Sequence, residues 1–177
     1  VLPYPLDAGP KARAYHMLRH LAKNHWVTLV SFVRPDDSPE AVKHLQRTCH
    51  AVHTVPIRRS LWRNLRAGIK GLATGLPILV ARSENEEMTA TLRRLTGNTA
   101  FDVIHADQLS MAGYGQLAAR MAKTPRPRTL LDEHNAIYLL ARRMADTEPN
   151  KLRRAIMARE ARAFSRYEAA MCQAYDA

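Results

Sequence analysis

Several familiar protein classes are excluded by what this sequence has little of. It contains two cysteines, Cys49 and Cys172, far apart and with no CxxC or Cys/His cluster around them. That excludes a zinc module or a disulfide framework and fits two buried thiols in a reducing compartment. Aromatic residues make up 6% of the chain and form no strip on which bases could stack. With no helix-turn-helix, zinc or RNP signature beside them, they argue against a nucleic-acid reader. There is neither a GxGxxG fingerprint nor a P-loop lysine motif, so the common nucleotide folds are not announced. No apolar run approaches the ~20 residues of a membrane span, no internal repeat or low-complexity stretch is present, and no signal peptide opens the chain. Acidic residues are also short: 16 against 27 Lys and Arg, a formal net charge of +11. Some face must therefore attract anions such as phosphates, nucleic acid or acidic lipid headgroups.

What is present is globular. The 177 residues, 46% hydrophobic and 24% charged, suit one large domain with a single core. Val1 to Pro10 reads as a turn-rich loop, with Gly9-Pro10 opening a helix that runs to about Asn24. Trp26 to Val33 has too little polar alternation for a half-exposed sheet and predicts a buried parallel strand. Ser38-Pro39 caps a second helix, and Ala51 to Pro56 is a short strand. Helices follow from Ile57 to about Ala73 and from Glu84 to about Thr96, the latter ended by Gly97-Asn98. Phe101–His105 is a strand, Leu109 to Met121 a helix, and Thr129–Asp132 a strand. Two last helices run from about Ala136 to Asp146 and from Asn150 to Gln173, separated by Glu148-Pro149. Strands alternating with helices predict an α/β fold with a doubly wound, Rossmann-like parallel sheet and helices on both faces.

Three stretches together are similar to the family 4 glycosyltransferases, retaining sugar transferases of the GT-B fold. The first is Leu2-Pro-Tyr-Pro-Leu-Asp-Ala-Gly9, followed by Arg13-Ala-Tyr-His-Met-Leu-Arg-His-Leu-Ala22 and a Val-Thr-Leu strand. The second is Phe101-Asp-Val-Ile-His-Ala-Asp-Gln108, with Met111 and Tyr114, and then Asp132-Glu-His-Asn135. The third is Glu160 to Asp176, especially Arg166-Tyr-Glu168 and Ala174-Tyr-Asp-Ala177. The resemblance covers nearly the whole chain but only the N-terminal, acceptor-side half of such an enzyme. It implies that the chain begins just after the family's first strand and lacks the donor-binding C-terminal domain. A sheet without its central first strand is expected to split into two pairs, Trp26–Val33 with Ala51–Pro56 and Phe101–His105 with Thr129–Asp132, with an apolar slot between them.

The resemblance implies site residues that the local chemistry supports. Gly9 permits close approach at a helix N-terminus, where amides and the helix dipole favour a donor diphosphate. Pro10 replaces the second glycine of the family's usual pair and supplies no N–H; the other reading of Gly9 is a loop that simply starts a helix. Arg13, a position that is often basic in the family, could hold a phosphate in a bidentate manner. Lys11 reads as solvated surface. His134 follows a strand end, where the ligand crevice of open α/β sheets lies, and the family's histidine at this loop lies near the transferred sugar. Asp107 and Gln108 end the preceding strand and open on the same crevice toward the acceptor. Asn135 is either an acceptor contact or a helix cap, the cap being favoured. Asp132 and Glu133 are adjacent and point to opposite sides, so they are not expected to work as a carboxylate pair. Met111 reads as core and His105 as a satisfied core histidine. The other histidines show no metal-ligand spacing with an acid or thiol, and no metal or other cofactor is expected.

The segment Ile57 to Leu72 holds five basic residues and no acidic one. Leu61, Trp62, Leu65, Ile69 and Leu72 lie along one stripe. Arg58, Arg59, Trp62, Arg63, Arg66 and Lys70 would suit an anionic membrane surface. The alternative is a helix whose stripe packs on the sheet while its arginines are solvated. The Lys151 to Arg166 helix adds six basic residues against Glu160.

The function expected from these features is the N-terminal domain of a cytoplasmic glycosyltransferase, peripheral at the inner face of the membrane. The complete enzyme would carry a sugar from a nucleotide-sugar to a lipid-linked or polysaccharide acceptor with retention. The competing reading is a basic module that binds nucleic acid or an anionic membrane without catalysis.

Overall fold

Helices and strands alternate as the apolar spacing dictates, and local chemistry sets most of their ends. The computed structural model describes residues 2–57, 60–123 and 125–177. Its contacts divide the chain into two units, Val1–Arg59 and Ser60–Ala177.

In the first unit, α1 (Gly9–Leu21) starts after an extended Ala8 with Pro10 in its first turn, where the proline's fixed φ and missing N–H cost nothing. β1 (Thr28–Val33) pairs in parallel with β2 (Ala51–Pro56), from Thr28↔Ala51 to Val33↔Pro56. α2 (Pro39–Thr48) connects them, its first turn capped by the Ser38 hydroxyl accepting from the Glu40 amide at 3.1 Å. The core here is Leu2, Tyr15, Ala41 and Leu45. The Tyr4 ring stacks on His44 with centroids 4.1 Å apart, and the Tyr15 hydroxyl is hydrogen-bonded to His44 Nε2 at 2.7 Å. This fixes the opening loop to α2. Trp26, expected to begin a buried strand, lies outside β1, exposed and stacked on His50.

The second unit holds α3 (Leu61–Thr74), α4 (Ile78–Ser83), α5 (Glu86–Asn98), β3 (Val103–Asp107), α6 (Leu109–Met121), β4 (Arg128–Asp132), α7 (Ile137–Thr147) and α8 (Lys151–Ala174). β3 and β4 pair in parallel from Val103↔Arg128 to Asp107↔Asp132, with α6 as the crossover. The sheets are thus two separate parallel pairs with the expected partners, and the chain belongs to the α/β class. The far edge of β4 is taken by the chain end. Asp176 N donates to Thr129 O at 3.1 Å and Leu131 N to Ala177 O at 2.9 Å. The Asp176 carboxylate accepts from both the amide and the hydroxyl of Thr129 at 2.8 Å, and these bonds hold it below the usual carboxylate range.

Several boundaries depart from the sequence reading. α3 begins at Leu61 instead of Ile57 and ends where Gly75 adopts a left-handed φ of 74°, a conformation that costs glycine little. α4 was not expected, because Pro77 separates a short apolar run from α3; the Glu160 carboxylate accepts from the Ile78 amide at 2.8 Å and so caps it from α8. Gly97 and Asn98 form the last turn of α5 and do not follow it. Its start is shifted to Glu86 because the Asn85 side chain caps Met88 N at 3.1 Å. Cys49 is buried as expected, whereas Cys172 is exposed. No helix among the described residues is long and apolar enough to cross a membrane.

The core of this unit, Val80, Ala106, Leu109, Ala112, Phe164 and Tyr175, lies where α6 meets the sheet and α8. Gly115 of α6 faces Tyr175, whose hydroxyl donates to Ala112 O at 2.7 Å. A Cβ at position 115 would overlap that hydroxyl. Gly115→Ala is therefore expected to destabilise the chain by about 1–3 kcal/mol, the usual cost of overpacking. In a Tyr175→Phe background the same change should cost less, because the overlapping oxygen is gone. Urea unfolding of the four proteins checks this, and an equal cost in both backgrounds would assign the glycine another role.

Candidate functional site

The site forms at the carboxyl ends of β3 and β4. Asp107 and Asp132 are register partners, so they emerge from neighbouring strands on one side of the sheet. His134, two residues past β4, brings Nε2 to 2.7 Å from Asp107 Oδ1 and 3.8 Å from Asp132 Oδ2. The side chains of His134 and Asp132 are only 6% and 11% exposed, while Asp107 is 41% exposed. The cluster therefore opens to solvent through Asp107. In the tautomer that donates Nε2–H to Asp107, Nδ1 carries the lone pair, and the carboxylate orients the ring as in other acid–histidine pairs. His134 Nδ1 is buried and has no hydrogen-bond partner among the described residues. One atom from each of Asp107, Asp132 and His134 falls within 4.8 Å of the others, a spacing able to hold a metal ion.

Gln108 stands beside this cluster in a sparsely populated backbone conformation, φ 78° and ψ 147°. Such a conformation costs a non-glycine residue roughly 1–3 kcal/mol. It lets the Gln108 amide donate to Asp132 O at 2.9 Å while its carbonyl accepts from Met111 N at 2.9 Å. One residue thus ends the ladder and starts α6.

A second titratable group lies next to it. Glu133 Oε1 and Glu168 Oε2 are buried without hydrogen-bond partners among the described residues. Burial, and then the Glu168 carboxylate, push Glu133 up to about 7. Burial also raises Glu168, and partial desolvation, then Glu133 and Glu168, raise the thiol of the exposed Cys172. Asp132 and Glu133 do diverge, as the alternation predicts, but each meets a carboxylate elsewhere: Asp107 for one, Glu168 for the other. His105 is not satisfied as expected. Its Nε2 is buried with no partner among the described residues, and burial holds the imidazole below its ordinary value, against the opposing pull of Asp107 and Asp132.

Of the expected site residues, the fold brings Asp107 and His134 into contact and sets Gln108 beside them. Asn135 is exposed and does not cap α7, which follows Ala136 with no side-chain cap. Gly9 and Arg13 belong to the first unit. Gly9 opens α1 with open space where a Cβ would stand, Lys11 is paired with Asp7 at 2.9 Å, and Arg13 is exposed. Met111 packs against the core as expected, and the Tyr114 hydroxyl accepts from Asn85 N at 2.6 Å and donates to Ser83 O at 2.9 Å.

In the basic segment, Arg58 and Arg59 lie outside the described residues. Leu61, Trp62, Leu65, Ile69 and Leu72 are 54–86% exposed, so the stripe does not pack on a sheet. α3 instead buries Ala67 and Gly71. Arg66 is exposed, whereas Arg63 donates to Glu84 O at 3.1 Å and Lys70 pairs with the Glu84 carboxylate at 2.5 Å. A cavity of about 440 Å³ lined by Gln116, Ala119, Arg120, Ala122 and Arg126 lies at the opposite end of β4 from Asp132. Asp132, Glu133 and His105 were not expected as site residues from the sequence, and neither was Glu168. The signal for Asp132 was available, since two strands ending in Asp and paired in parallel bring those ends together.

A carboxyl group whose folded-state value is raised stabilises the fold fully below its unfolded value, and that stability is lost as pH rises through the folded value. For Glu133 the window runs from about 4.5 to about 7. Glu133→Gln, which stays neutral, is expected to melt above the parent at pH 8, with the gap closing toward pH 5. A melting difference independent of pH would show that the Glu133 charge is not what destabilises the fold.

No family model matches the chain, and comparison with curated proteins and with solved structures gives no match.

Proposed function

We propose that this chain is the acceptor-side domain of a retaining GT-B glycosyltransferase similar to family 4, with its sheet part of a doubly wound, Rossmann-like arrangement. The observation that carries the reading is the His134–Asp107 pair, 2.7 Å apart at the ends of two parallel strands. That is where an open α/β sheet binds its ligands, and where the resemblance puts a histidine against the transferred sugar. Two parallel pairs with helical connections support the wider fold.

In this reading His134 orients a sugar hydroxyl, with Asp107 fixing the ring. The resemblance assigns Gln108 and Asn135 to the acceptor, a lipid-linked or polysaccharide hydroxyl, and assigns Gly9 and Arg13 of the first unit to the donor diphosphate. The departing diphosphate and the incoming hydroxyl share one face of the sugar. The protein's contribution is then positioning and stabilisation of developing charge, with no metal required in the transfer step. In the complete enzyme, His134→Ala is expected to lower kcat/KM at least about tenfold, equivalent to ~1.4 kcal/mol of transition-state stabilisation. Unchanged kinetics in a folded variant would remove His134 from the site.

The second reading, membrane docking, is favoured by the exposed stripe on α3. Trp62 with Leu61, Leu65, Ile69 and Leu72 can enter a headgroup layer while Arg66 and neighbouring cations meet anionic lipid. It makes the chain peripheral at a cytoplasmic membrane face. The chain is expected to bind vesicles containing anionic lipid and to release as salt rises. Binding to neutral vesicles alone, or equal binding to both kinds, would remove the electrostatic part, and no binding to either would remove the reading.

A further inference from the structure

Asp107, Asp132 and His134 have the donor set and the spacing of a coordination shell. Ligands 2.0–2.2 Å from a tetrahedral zinc lie about 3.4 Å from one another. The observed separations from His134 Nε2, 2.7 Å to Asp107 and 3.8 Å to Asp132, bracket that value. Shifts of well under the length of a bond would equalise them. The supports are rigid, since both aspartates end strands in register and the His134 side chain is 94% buried, from its 6% exposure. Entry is open through Asp107, 41% exposed. Like charges set directly across neighbouring strands repel, so a cation between them is favoured.

A separate observation points the same way. One imidazole nitrogen at this end of the sheet, His105 Nε2, is buried with no hydrogen-bond partner among the described residues, and His134 Nδ1 is the nitrogen that carries the proton once Nε2 ligates an ion. His105 stands two residues before Asp107 on the same face of β3 and interacts electrostatically with all three ligands. Buried polar atoms without partners are uncommon in folded proteins and accompany water or ions.

We propose that Asp107 Oδ1, Asp132 Oδ2 and His134 Nε2 bind a divalent first-row transition cation, with zinc the tightest of the common physiological candidates, and leave a further coordination position open on the Asp107 side. One imidazole among two carboxylates selects zinc or manganese over magnesium or calcium, which take all-oxygen shells. The site does not rest on the transferase reading. An ion here takes the same Nε2 that the reading gives to the sugar, so the two occupancies exclude each other.

The test is calorimetric titration of the 177-residue chain with zinc chloride, then with manganese, magnesium and calcium salts. The expected result is one zinc per chain, with manganese weaker and magnesium and calcium weaker still. Asp132→Asn and His134→Gln should each weaken zinc at least about tenfold. Asp107→Asn, at the exposed ligand, provides the same measurement if either buried variant loses its circular-dichroism signature. His16→Ala/His20→Ala removes an exposed i, i+4 histidine pair on α1 that could capture zinc by itself, and should leave the titration unchanged. The proposal is overturned by no zinc binding at about 0.1 mM ion, by loss only in the α1 double variant, or by tighter magnesium or calcium binding. Zinc binding to the chain, with unchanged kcat/KM for His134→Ala in the complete enzyme, would sink the transferase reading alone, and lowered kcat/KM without zinc binding would sink this one alone.

Discussion

Parallel pairing of β3 with β4 brings the ends of both strands to one side of the sheet, and most of the second unit is arranged around that pairing. A parallel pair cannot be closed by a tight turn, so α6 must cross back over the sheet before β4 begins. Leu109 and Ala112 of α6 then become core, and Gly115 makes room for Tyr175. Tyr175 in turn holds the chain end against β4, where Asp176 occupies the amide and hydroxyl of Thr129. The same register that buries these groups sets Asp107 beside Asp132. Site and core thus depend on one ladder, with Ala106 and Leu131 in the core directly before Asp107 and Asp132.

How much of this was legible in the sequence varied with the range of the interaction. α6 was read to the residue, because Leu109 to Met121 is bounded by a strand end and a proline-rich connection. Parallel pairing followed from the alternation of strands with helices, whereas the choice of partners followed from the resemblance and its strand order. Elements set by distant partners were not legible. α4 is capped by Glu160, 82 positions away in sequence, and an apolar run of six residues carries no period of its own. Asp107 and His134 were each visible as strand-end residues, but their contact was not, since 27 positions separate them. Short linear motifs record residues that lie close in sequence, and Asp107, Asp132 and His134 come from β3, β4 and the following loop.

The large positive charge was visible at once, yet its distribution was not. Some of the basic residues of the two strongly basic segments are engaged. Arg159 of α8 donates to Leu76 O at 3.0 Å and also contacts Gly71 O and Glu160, tying the end of α3 to α8. Arg63 and Lys70 both converge on Glu84. These contacts turn one side of α3 toward its neighbours, where Ala67 and Gly71 are small enough for close approach. The large apolar residues, spaced on the opposite side, are consequently left in solvent. Helical periodicity located the stripe but left open whether it packs on a sheet or faces outward, and it faces outward because small residues make the packing face.

Backbone strain at Gln108 follows from the same geometry. Its amide must continue the ladder to Asp132 O while its carbonyl begins α6, and no ordinary β or α conformation meets both demands. Glycine would relieve the strain but leave the Asp107 backbone freer, and Asp107 is the exposed partner that orients His134. The strained residue is held by hydrogen bonds on both of its backbone groups, one to each adjoining element. His134 is held from the other direction: residues 132 and 134 turn toward Asp107, while Glu133 between them turns toward Glu168 on α8. Alternation by one residue separates the cluster that opens through Asp107 from a half-buried carboxyl pair. The imidazole is therefore fixed by structure on both sides of the loop that carries it, the preorganisation a binding or catalytic group requires.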